Sequence, residues 1–407
     1  MVQTLFKKAL ISAPGKVILF GEHAVVHQKY AVAASLGLRT HLYIEKTQDE
    51  VCYLNLPDVN ATRQWSLSEI PFDKVQDEKD GAHPIQDMMP ELKAKLYEIA
   101  GDIESVAQEQ ALLAFLYLLI TLAPRDQTKR TGLKVGARSF LPVSAGLGSS
   151  ASYSVVLATS LLILFDHIPV DFETSDQYNT YIEKINLYAF KAEQVIHGNP
   201  SGVDNAVSAY GGAKSFLKGK GFSTLEGFKS LRLLLTNTKV PRSTSKLVAG
   251  VAERKEKYPE VINPILDAID GVSLRCKDTF LKYQNGLIDG DELATELEEL
   301  VDINHCLLYA LGVTHPSLEK IRNVTNVHGL TTKLTGAGGG GCAVTVIRDD
   351  VSQEKINTVM DSLKSEGYDC YQTSVGGPGV RAVVLDENES LEWMLAAEKD
   401  LLENKFL

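Results

Sequence analysis

The pattern of apolar and polar positions predicts strands first and then buried helices in the first half of the chain. ALISAPGKVILF (9–20), YAVAASL (30–36) and THLYIEK (40–46) are dense in β-branched and aromatic residues, which is typical of strands. A strong helix is predicted over 105–123, a strand at TGLKVGARSFLP and a helix over 149–165. A further helix over 179–197 follows from apolar residues three or four positions apart, namely Ile182, Ile185, Ala189, Ala192 and Ile196.

In the second half, strands and helices alternate in a way that predicts an α+β arrangement. A strand is predicted at 231–239, followed by mainly helical segments at 243–256, 259–283, 291–311 and 315–325. The strand CAVTVI, a helix near 351–366 and the strands DCYQTSV and VRAVVLD come next. The final SLEWMLAAEKDLLENKF is predicted to be one amphipathic helix, and residues 74–104, which contain GAHPIQDMMP, a surface excursion.

Composition narrows the class of protein without identifying it. A chain of 407 residues, 44% hydrophobic and 23% charged, is long enough for two domains of an ordinary globular protein. The net charge of −11 argues against nucleic-acid and anionic-membrane surfaces but not against nucleotides. The longest apolar run has 13 residues, too few to span a bilayer, and MVQTLFKKALISAPGK lacks a signal-peptide core. Five scattered cysteines are expected to be reduced thiols, so we expect a cytoplasmic protein.

The stretch LPVSAGLGSSASYS (141–154) has the features of a phosphate-binding loop that lacks one part. Gly146 and Gly148 allow tight turns and a close approach of backbone N–H groups to an anion, and a predicted helix follows. Ser149 and Ser150 supply hydroxyl oxygens of the kind that bind a Mg²⁺–phosphate complex. The lysine of a P-loop is absent. The alternative is a plain strand-to-helix turn capped by serine.

A second glycine-rich loop, GAGGGG (336–341), formally matches the dinucleotide-binding pattern GxGxxG. That pattern must open a helix, whereas here the strand-like CAVTVI follows, so a Rossmann dehydrogenase is excluded. Because every glycine costs backbone entropy, the run still requires a reason. We expect its backbone to wrap closely around a ligand.

Several charged residues stand in apolar surroundings, which indicates partners. Lys16 precedes VILF and needs a carboxylate or phosphate unless it reaches solvent. Glu22 and His23 share a turn suited to substrate contacts, although they could equally be exposed. Glu193 lies on the packed side of its helix and needs a metal or an ion pair. Asp204 enters a helix, either as a functional carboxylate or as a capping residue.

The order and spacing of these motifs resemble the GHMP kinases. The resemblance rests on SAPGKVILFGEHAVVH, PVSAGLGSSASYS and KLTGAGGGGC, and also on IHGNPSGVDNAVS and TNTKVPRSTSKLVAGV. Galactokinases have a threonine and an aspartate after GEH, whereas this chain has Ala24-Val25-Val26. Within the family the chain is similar to the eukaryotic members that phosphorylate mevalonate.

The resemblance implies a two-domain fold with ATP and substrate in the cleft between the domains. The N-terminal domain, resembling ribosomal protein S5 domain 2, would span 1–230, with about 380–407 packing back onto it. A ferredoxin-like C-terminal domain would span 231–379. The implied reaction is Mg²⁺-dependent transfer of the γ-phosphoryl group of ATP to the C5 hydroxyl of (R)-mevalonate, on the route to isoprenoids and sterols. A homodimer and feedback inhibition by isoprenoid diphosphates such as farnesyl diphosphate are further family expectations.

The resemblance also assigns roles to individual residues. Asp204 matches the catalytic base and Lys16 the lysine paired with it, while Ser150 and Glu193 match the Mg²⁺ ligands. The expected ATP-binding residues are Lys16, Ser139, Ser144, Ala145, Gly146, Leu147, Gly148, Ser149 and Ser150. The expected substrate-binding residues are Glu22, His23, Asp204, Gly336 and Ala337. Asp58 departs from the family, which often has asparagine at this nucleotide-side position.

Two other interpretations remain open at this point. One is another small-alcohol or sugar kinase of the same family. The other is a catalytically silent sensor, which would most plausibly have lost Lys16, Ser150, Glu193 or Asp204, and all four residues are present.

Overall fold

The computed structural model describes residues 7–73, 90–142 and 145–406. The strands are β1 (Lys8–Phe20), β2 (Tyr30–Thr47), β3 (Val51–Leu56), β4 (Ala61–Ser66), β5 (Gly132–Ser139), β6 (Ala213–Leu217), β7 (Gly221–Thr224), β8 (Leu231–Asn237), β9 (Thr332–Leu334), β10 (Cys342–Ile347), β11 (Asp369–Val375) and β12 (Arg381–Val384). The helices are α1 (Pro90–Ala100), α2 (Val106–Leu122), α3 (Ser149–Leu164), α4 (Tyr178–His197), α5 (Val203–Tyr210), α6 (Thr244–Lys257), α7 (Pro259–Gln284), α8 (Gly290–Ala310), α9 (Pro316–Val327), α10 (Gln353–Ser365), α11 (Leu391–Ala396) and α12 (Lys399–Glu403). Of the predicted surface excursion 74–104, residues 74–89 lie outside the described part. The prediction is wrong for 90–100, which form α1 and place Leu92, Leu96 and Ala100 in the core.

The first half is built around the long strand β2. It pairs with β1 along most of its length, with β6 near its start and with β5 near its end, in each case antiparallel. The two strands predicted at 30–36 and 40–46 are therefore one strand, because β1 pairs with both segments. The pairing of β1 with β2 shifts its register between Pro14 and Lys16 and again between Ile18 and Phe20. The second of the two predicted strands is thus a continuation of the first.

Helices α3 and α5 pack against this sheet, and α2 and α4 pack against α3 to complete the core of the first half. Helices α2 and α3 are apolar on nearly all sides, which is typical of buried helices, and almost every residue of α3 from Ala151 to Leu164 is buried. Helix α3 contacts β1, β2 and the helices α4 and α5. Because α3 crosses β1, the loop at the start of α3 lies directly against the strand that carries Lys16.

The second half has an antiparallel sheet in the order β11-β8-β10-β9, covered by helices α7 to α10. It continues the sheet of the first half through the pairing of Val375 with Leu36. The α+β prediction is confirmed. The sequence did not predict the short strands, namely β3, β4, β6, β7 and β9. Each has only three to six residues, too few to show a clear alternation of apolar and polar positions.

The C-terminal segment returns to the first half, where β12 pairs antiparallel with β1. The single amphipathic helix predicted here is wrong, because the chain breaks at Ala397, which has extended torsion angles of −64° and 144°. The two short helices bend over the outer face of β1 and β2, and Leu391, Met394, Leu402 and Phe406 cover Leu10 and Tyr43. Arg138 donates to the carbonyl groups of Leu395 and Ala397, which satisfies the end of α11.

Two global expectations can be compared with the structure. No helix in the described ranges combines the length and the apolar character needed to cross a bilayer. All five cysteines are free thiols, three of them buried.

Candidate active site

A cleft of about 790 Å³ lies where the first half meets the second. Its walls include every predicted site residue that the structure describes; Ser144 and the neighbouring Val143 lie outside the described residues. From the first half come Lys16, Glu22, His23, Ser139, Ala145, Gly146, Leu147, Gly148, Ser149, Ser150, Glu193 and Asp204, and from the second half Gly336 and Ala337. Residues distant in the chain are therefore brought to one place.

The loop before α3 has the geometry of an anion-binding turn. Gly146 and Gly148 have φ angles of 76° and 74°, and Gly148 is the N-cap residue of α3. The Lys16 amide donates to the Leu147 carbonyl group at 2.8 Å. A Cβ atom at Gly148 would lie 2.8 Å from the Lys16 Cγ atom, so glycine is needed here for space as well as for torsion. The positive end of the α3 dipole thus opens into the cleft.

Lys16 and Asp204 form an ion pair at the centre of the cleft. The Lys16 Nζ atom lies 3.2 Å from the Asp204 Oδ1 atom, with the lysine side chain 8% and the aspartate side chain 41% exposed. Lys16 follows the first register shift in β1, and Asp204 is in the first turn of α5. The N-cap residue of α5 is Gly202, so Asp204 is not a capping aspartate. Its carboxylate faces both the lysine and the cleft.

Glu193 is buried beside the loop, and its carboxylate accepts hydrogen bonds from Ser154 at 3.0 Å and Ser150 at 3.3 Å. Burial raises the pKa of Glu193 to about 7, against the effect of the Ser154 hydroxyl. The Ser150 Oγ atom also lies 3.1 Å from the Nε2 atom of His197. The expectation that Glu193 faces the packed side is confirmed; the Ser150 and Ser154 hydroxyl groups donate to its carboxylate, and His197 Nε2 lies 3.9 Å from its Oε2 atom.

The donors around Ser150 and Glu193 fit Mg²⁺. Both offer oxygen atoms, and no group of three or more His, Cys, Asp or Glu side chains suited to a metal occurs in the described part of the chain. Mg²⁺ is commonly held by one or two carboxylates, with water and substrate phosphates completing its shell, rather than by an all-protein cage. A buried carboxylate next to a hydroxyl at the anion-binding loop matches this arrangement.

The turn after β1 presents one face of His23 to the cleft. The His23 Nε2 atom lies 2.9 Å from the Ala337 carbonyl oxygen, which can only accept, so Nε2 carries the hydrogen. Burial lowers the pKa of His23, so the ring is neutral and Nδ1 is an acceptor. This Nδ1 atom is buried and has no partner among the described residues. The Glu22 side chain has 0% exposure, and its oxygens bind Lys333 and Asn304.

Arg242 is a cleft residue that the sequence analysis missed. Its Nη2 atom donates to the Ala145 carbonyl group at 3.0 Å, and its Nη1 atom lies 3.4 Å from the Gly338 carbonyl oxygen. It therefore bridges the two glycine loops, and no carboxylate of the described residues pairs with it. Nothing in the sequence indicated its role except its place in the segment TNTKVPRSTSKLVAGV. A single arginine in such a segment does not indicate whether it is buried or what it binds.

The glycine run 336–341 has a narrower role than expected. Only Gly336 and Ala337 line the cleft. A Cβ atom at Gly338 would lie 1.9 Å from the Val313 carbonyl oxygen, and one at Gly341 would lie 2.6 Å from the Arg242 guanidinium carbon. Most of these glycines are therefore required by close packing within the protein, not by a ligand.

Asp58 and Ser139 also line the cleft. Apolar lining residues include Leu56, Val59, Ala107, Ala111 and Ile196. Asp58 Oδ2 accepts the Ser139 backbone N–H at 2.6 Å, and burial raises the pKa of Asp58. A flat aromatic base fits such a lining.

Comparison with known proteins agrees with the motifs. The chain matches the family model described as GHMP kinases N terminal domain over residues 114–212 and that described as GHMP kinases C terminal over 291–377. It is 44% identical to the mevalonate kinase of Homo sapiens over 379 residues, covering 91% of this chain and 94% of that protein.

Solved structures show the same similarity. The crystal structure of the Methanococcus jannaschii mevalonate kinase has a TM-score of 0.67 at 26% identity, covering 90% of this chain and 98% of that one. The L. major mevalonate kinase, solved in complex with R-mevalonate, has a TM-score of 0.64 at 25% identity, covering 90% and 96%. The two-domain fold implied by the motifs is confirmed, and the chain belongs to the mevalonate kinases within the GHMP kinase family.

Proposed function

We propose that this protein transfers the γ-phosphoryl group of ATP to the C5 hydroxyl of (R)-mevalonate, giving 5-phosphomevalonate and ADP. The observation that carries the proposal is that the anion-binding loop, the Ser150–Glu193 pair and the Lys16–Asp204 pair all line one cleft. The 44% identity to a mevalonate kinase supports the choice of acceptor.

The triphosphate binds at the loop Ala145–Ser150. Backbone N–H groups of the loop and the N-terminus of α3 replace the lysine of a P-loop as its first electrostatic partners. Ser139 and apolar lining residues such as Leu56 and Val59 accommodate the nucleoside. Ser150 and Glu193 would hold Mg²⁺, which when bound would compensate negative charge on the phosphates.

Asp204 accepts the proton of the attacking hydroxyl group. An alcohol is about as weak an acid as water, so a positioned base lowers the barrier to its deprotonation. The Lys16 ammonium group orients the Asp204 carboxylate and stabilises negative charge that develops on the attacking oxygen. This base is therefore oriented before the substrate arrives.

Arg242 and His23 provide the groups that bind the acceptor substrate. The Arg242 guanidinium group has only carbonyl partners among the described residues and pairs with the carboxylate of the substrate. The His23 Nδ1 atom accepts a hydrogen bond from a substrate hydroxyl group, since it is an unpartnered acceptor on the cleft wall. A carboxylic acid that carries hydroxyl groups matches this pair.

Purified protein assayed for ADP release with Mg-ATP and a panel of alcohols tests the proposal. We expect turnover with (R)-mevalonate and none with galactose, homoserine or 5-phosphomevalonate. Turnover with another alcohol in place of mevalonate would make the protein a different kinase of the family. Calorimetric binding of ATP without turnover of any alcohol would make it a sensor.

Several family expectations extend this proposal. A domain boundary near 230, with 380–407 belonging to the first domain, is supported by the pairing of β12 with β1. Isoprenoid diphosphates such as farnesyl diphosphate would compete with ATP, because a diphosphate group suits the same anion-binding loop. A homodimer and a cytoplasmic location complete the proposal. Sedimentation and inhibition kinetics against ATP test the assembly and the inhibition.

A further inference from the structure

A buried ion pair connects the substrate-facing turn of the first half to the sheet of the second. Lys333, on β9, donates to Glu22 Oε1 and to the Leu334 carbonyl group, the latter at 2.9 Å. Asn304, on α8, donates to Glu22 Oε2 at 2.9 Å. The side chains of Lys333 and Glu22 are only 1% and 0% exposed. Both oxygens of the carboxylate therefore have partners that belong to the other half of the molecule.

A second layer of polar contacts orients β9 beneath this pair. The Leu334 amide donates to His305 Nδ1 at 3.3 Å, so the neutral ring carries its hydrogen on Nε2. That Nε2 atom lies 3.0 Å from a carboxylate oxygen of Glu319. The strand that presents Lys333 is thus connected to both α8 and α9.

The turn that this ion pair supports is conformationally costly. His23, next to Glu22, has φ 60° and ψ −44°, a region that residues with a Cβ atom rarely occupy. Such a residue keeps its conformation only when its surroundings determine it. The determining contacts are the Ala337 carbonyl group on the His23 ring and the Lys333–Asn304 pair on Glu22.

Stability alone does not account for these charges. When two ions are buried, they lose hydration energy that their mutual attraction roughly offsets. Proteins in which apolar residues replace a buried ion pair are often at least as stable as the original. Such a pair is better explained by the single geometry it imposes than by the energy it contributes.

We propose that Lys333 is a positioning residue: through Glu22 it holds the strained turn that aims His23 Nδ1 at the acceptor substrate. The proposal rests on the proposed function, and it changes the expected role of Glu22 from a direct substrate contact to an anchor. It also means that the acceptor site forms only when the two halves are docked.

The test compares Lys333→Met with Lys8→Met. Lys8 is a buried lysine outside the cleft, whose Nζ atom donates to the carbonyl groups of Glu387 and Glu389 at 2.8 and 3.0 Å. For Lys333→Met we expect the KM for mevalonate to rise at least about tenfold, the scale of one lost charge-assisted hydrogen bond, with the KM for ATP nearly unchanged. Lys8→Met should alter neither KM.

A second measurement does not depend on turnover. Hydrogen exchange of the Ala24, Val25 and Val26 amides, which donate within the turn, should accelerate in ligand-free Lys333→Met and not in Lys8→Met. If the wild type fails to phosphorylate mevalonate, the proposed function fails, and this exchange result still decides the role of Lys333.

If Lys333→Met does not fold, Glu22→Gln preserves the shape of the anchor and should change the KM for mevalonate and the exchange of the turn in the same direction. Equal increases in both KM values, or exchange no faster than in Lys8→Met, would show that the pair is only structural. That result would overturn the proposal.

Discussion

The Lys16 Nζ atom lies 3.2 Å from the Asp204 Oδ1 atom, although one residue is on the first strand and the other opens the fifth helix. The resemblance to the GHMP kinases predicts this pairing, whereas composition and periodicity give no sign of it. The lysine is buried and the aspartate side chain is 41% exposed on the cleft wall, so the pair has one open side. That open side is where an alcohol and a phosphate group can meet.

Replacing Asp204 by asparagine tests the base. The amide keeps the shape and cannot accept the proton, so we expect kcat to fall at least about 100-fold. Steady-state kinetics with both substrates measure this, with Asp166→Asn as control, since Asp166 pairs with Lys46 on the surface at 3.5 Å. An Asp204→Asn enzyme with normal kcat and a raised KM would make Asp204 a binding residue.

Glu193→Gln should raise the Mg²⁺ concentration needed for half-maximal activity at least about tenfold, because a neutral amide replaces an anionic ligand. Titration of activity with free Mg²⁺ at fixed ATP measures the shift, and chelation with EDTA should abolish wild-type activity. Ser154→Ala, which removes one hydrogen bond to the carboxylate, should have a smaller effect in the same direction. An unchanged Mg²⁺ dependence in Glu193→Gln would remove this residue from the metal site.

Arg242→Gln should weaken mevalonate binding about 10- to 150-fold, the range expected for a hydrogen bond to a charged group. An analogue with a primary amide in place of the carboxylate separates this contact from loop disruption. Wild type should bind the analogue poorly, and Arg242→Gln should bind it no worse. A further loss with the analogue would mean that Arg242 acts mainly by joining the loops at Ala145 and Gly338.

His41 predicts an acid limit to stability. The ring is fully buried between Phe140 and Phe406, with neither nitrogen bonded in the described structure. Burial, helped by the charges of Arg39, Lys399 and Arg138, lowers the pKa of His41 from 6.5 to about 3.

Below pH 6.5, His41 therefore binds a proton in the unfolded chain but not in the folded chain. Stability consequently falls as the pH drops toward 3. Between pH 7 and pH 5 this residue lowers the free energy of unfolding by about 2 kcal/mol. Denaturant titrations at pH 7 and pH 5 measure the free energy of unfolding. Its decrease between these pH values should be smaller by this amount in His41→Phe than in the wild type. Equal losses in both proteins would mean that His41 is protonated or exposed in the native state.

Local signals predicted the long elements well. Helices α2, α3 and α4 and the strand β1 were recognisable because their apolar positions recur with a clear period or in long runs. Except for Ser144, which lies outside the described residues, all predicted site residues line the cleft. They could be predicted because glycines, serines and isolated charges in apolar surroundings stand out within short sequence motifs. Their individual roles stay predictions.

Other features had no local signal. Among the strands of the described residues, the short β7 pairs only with β6, and the break at Ala397 separates two helices that both pack on Leu10 and Tyr43. Arg242 and Lys333 look like ordinary charged residues in the sequence. Their partners are brought by contacts between β9 and the turn after β1, and between the two glycine loops.

The sequence by itself determined the family, the motifs and which side chains are available for chemistry, since these depend on residue type and spacing. The tertiary structure alone decided which groups bind Glu22, Glu193 and Arg242, which glycines face protein and which atoms remain open to a substrate. The physical reason is that burial and ion pairing arise between segments far apart in the chain, and an arginine or lysine carries no local mark of the partner that folding brings to it.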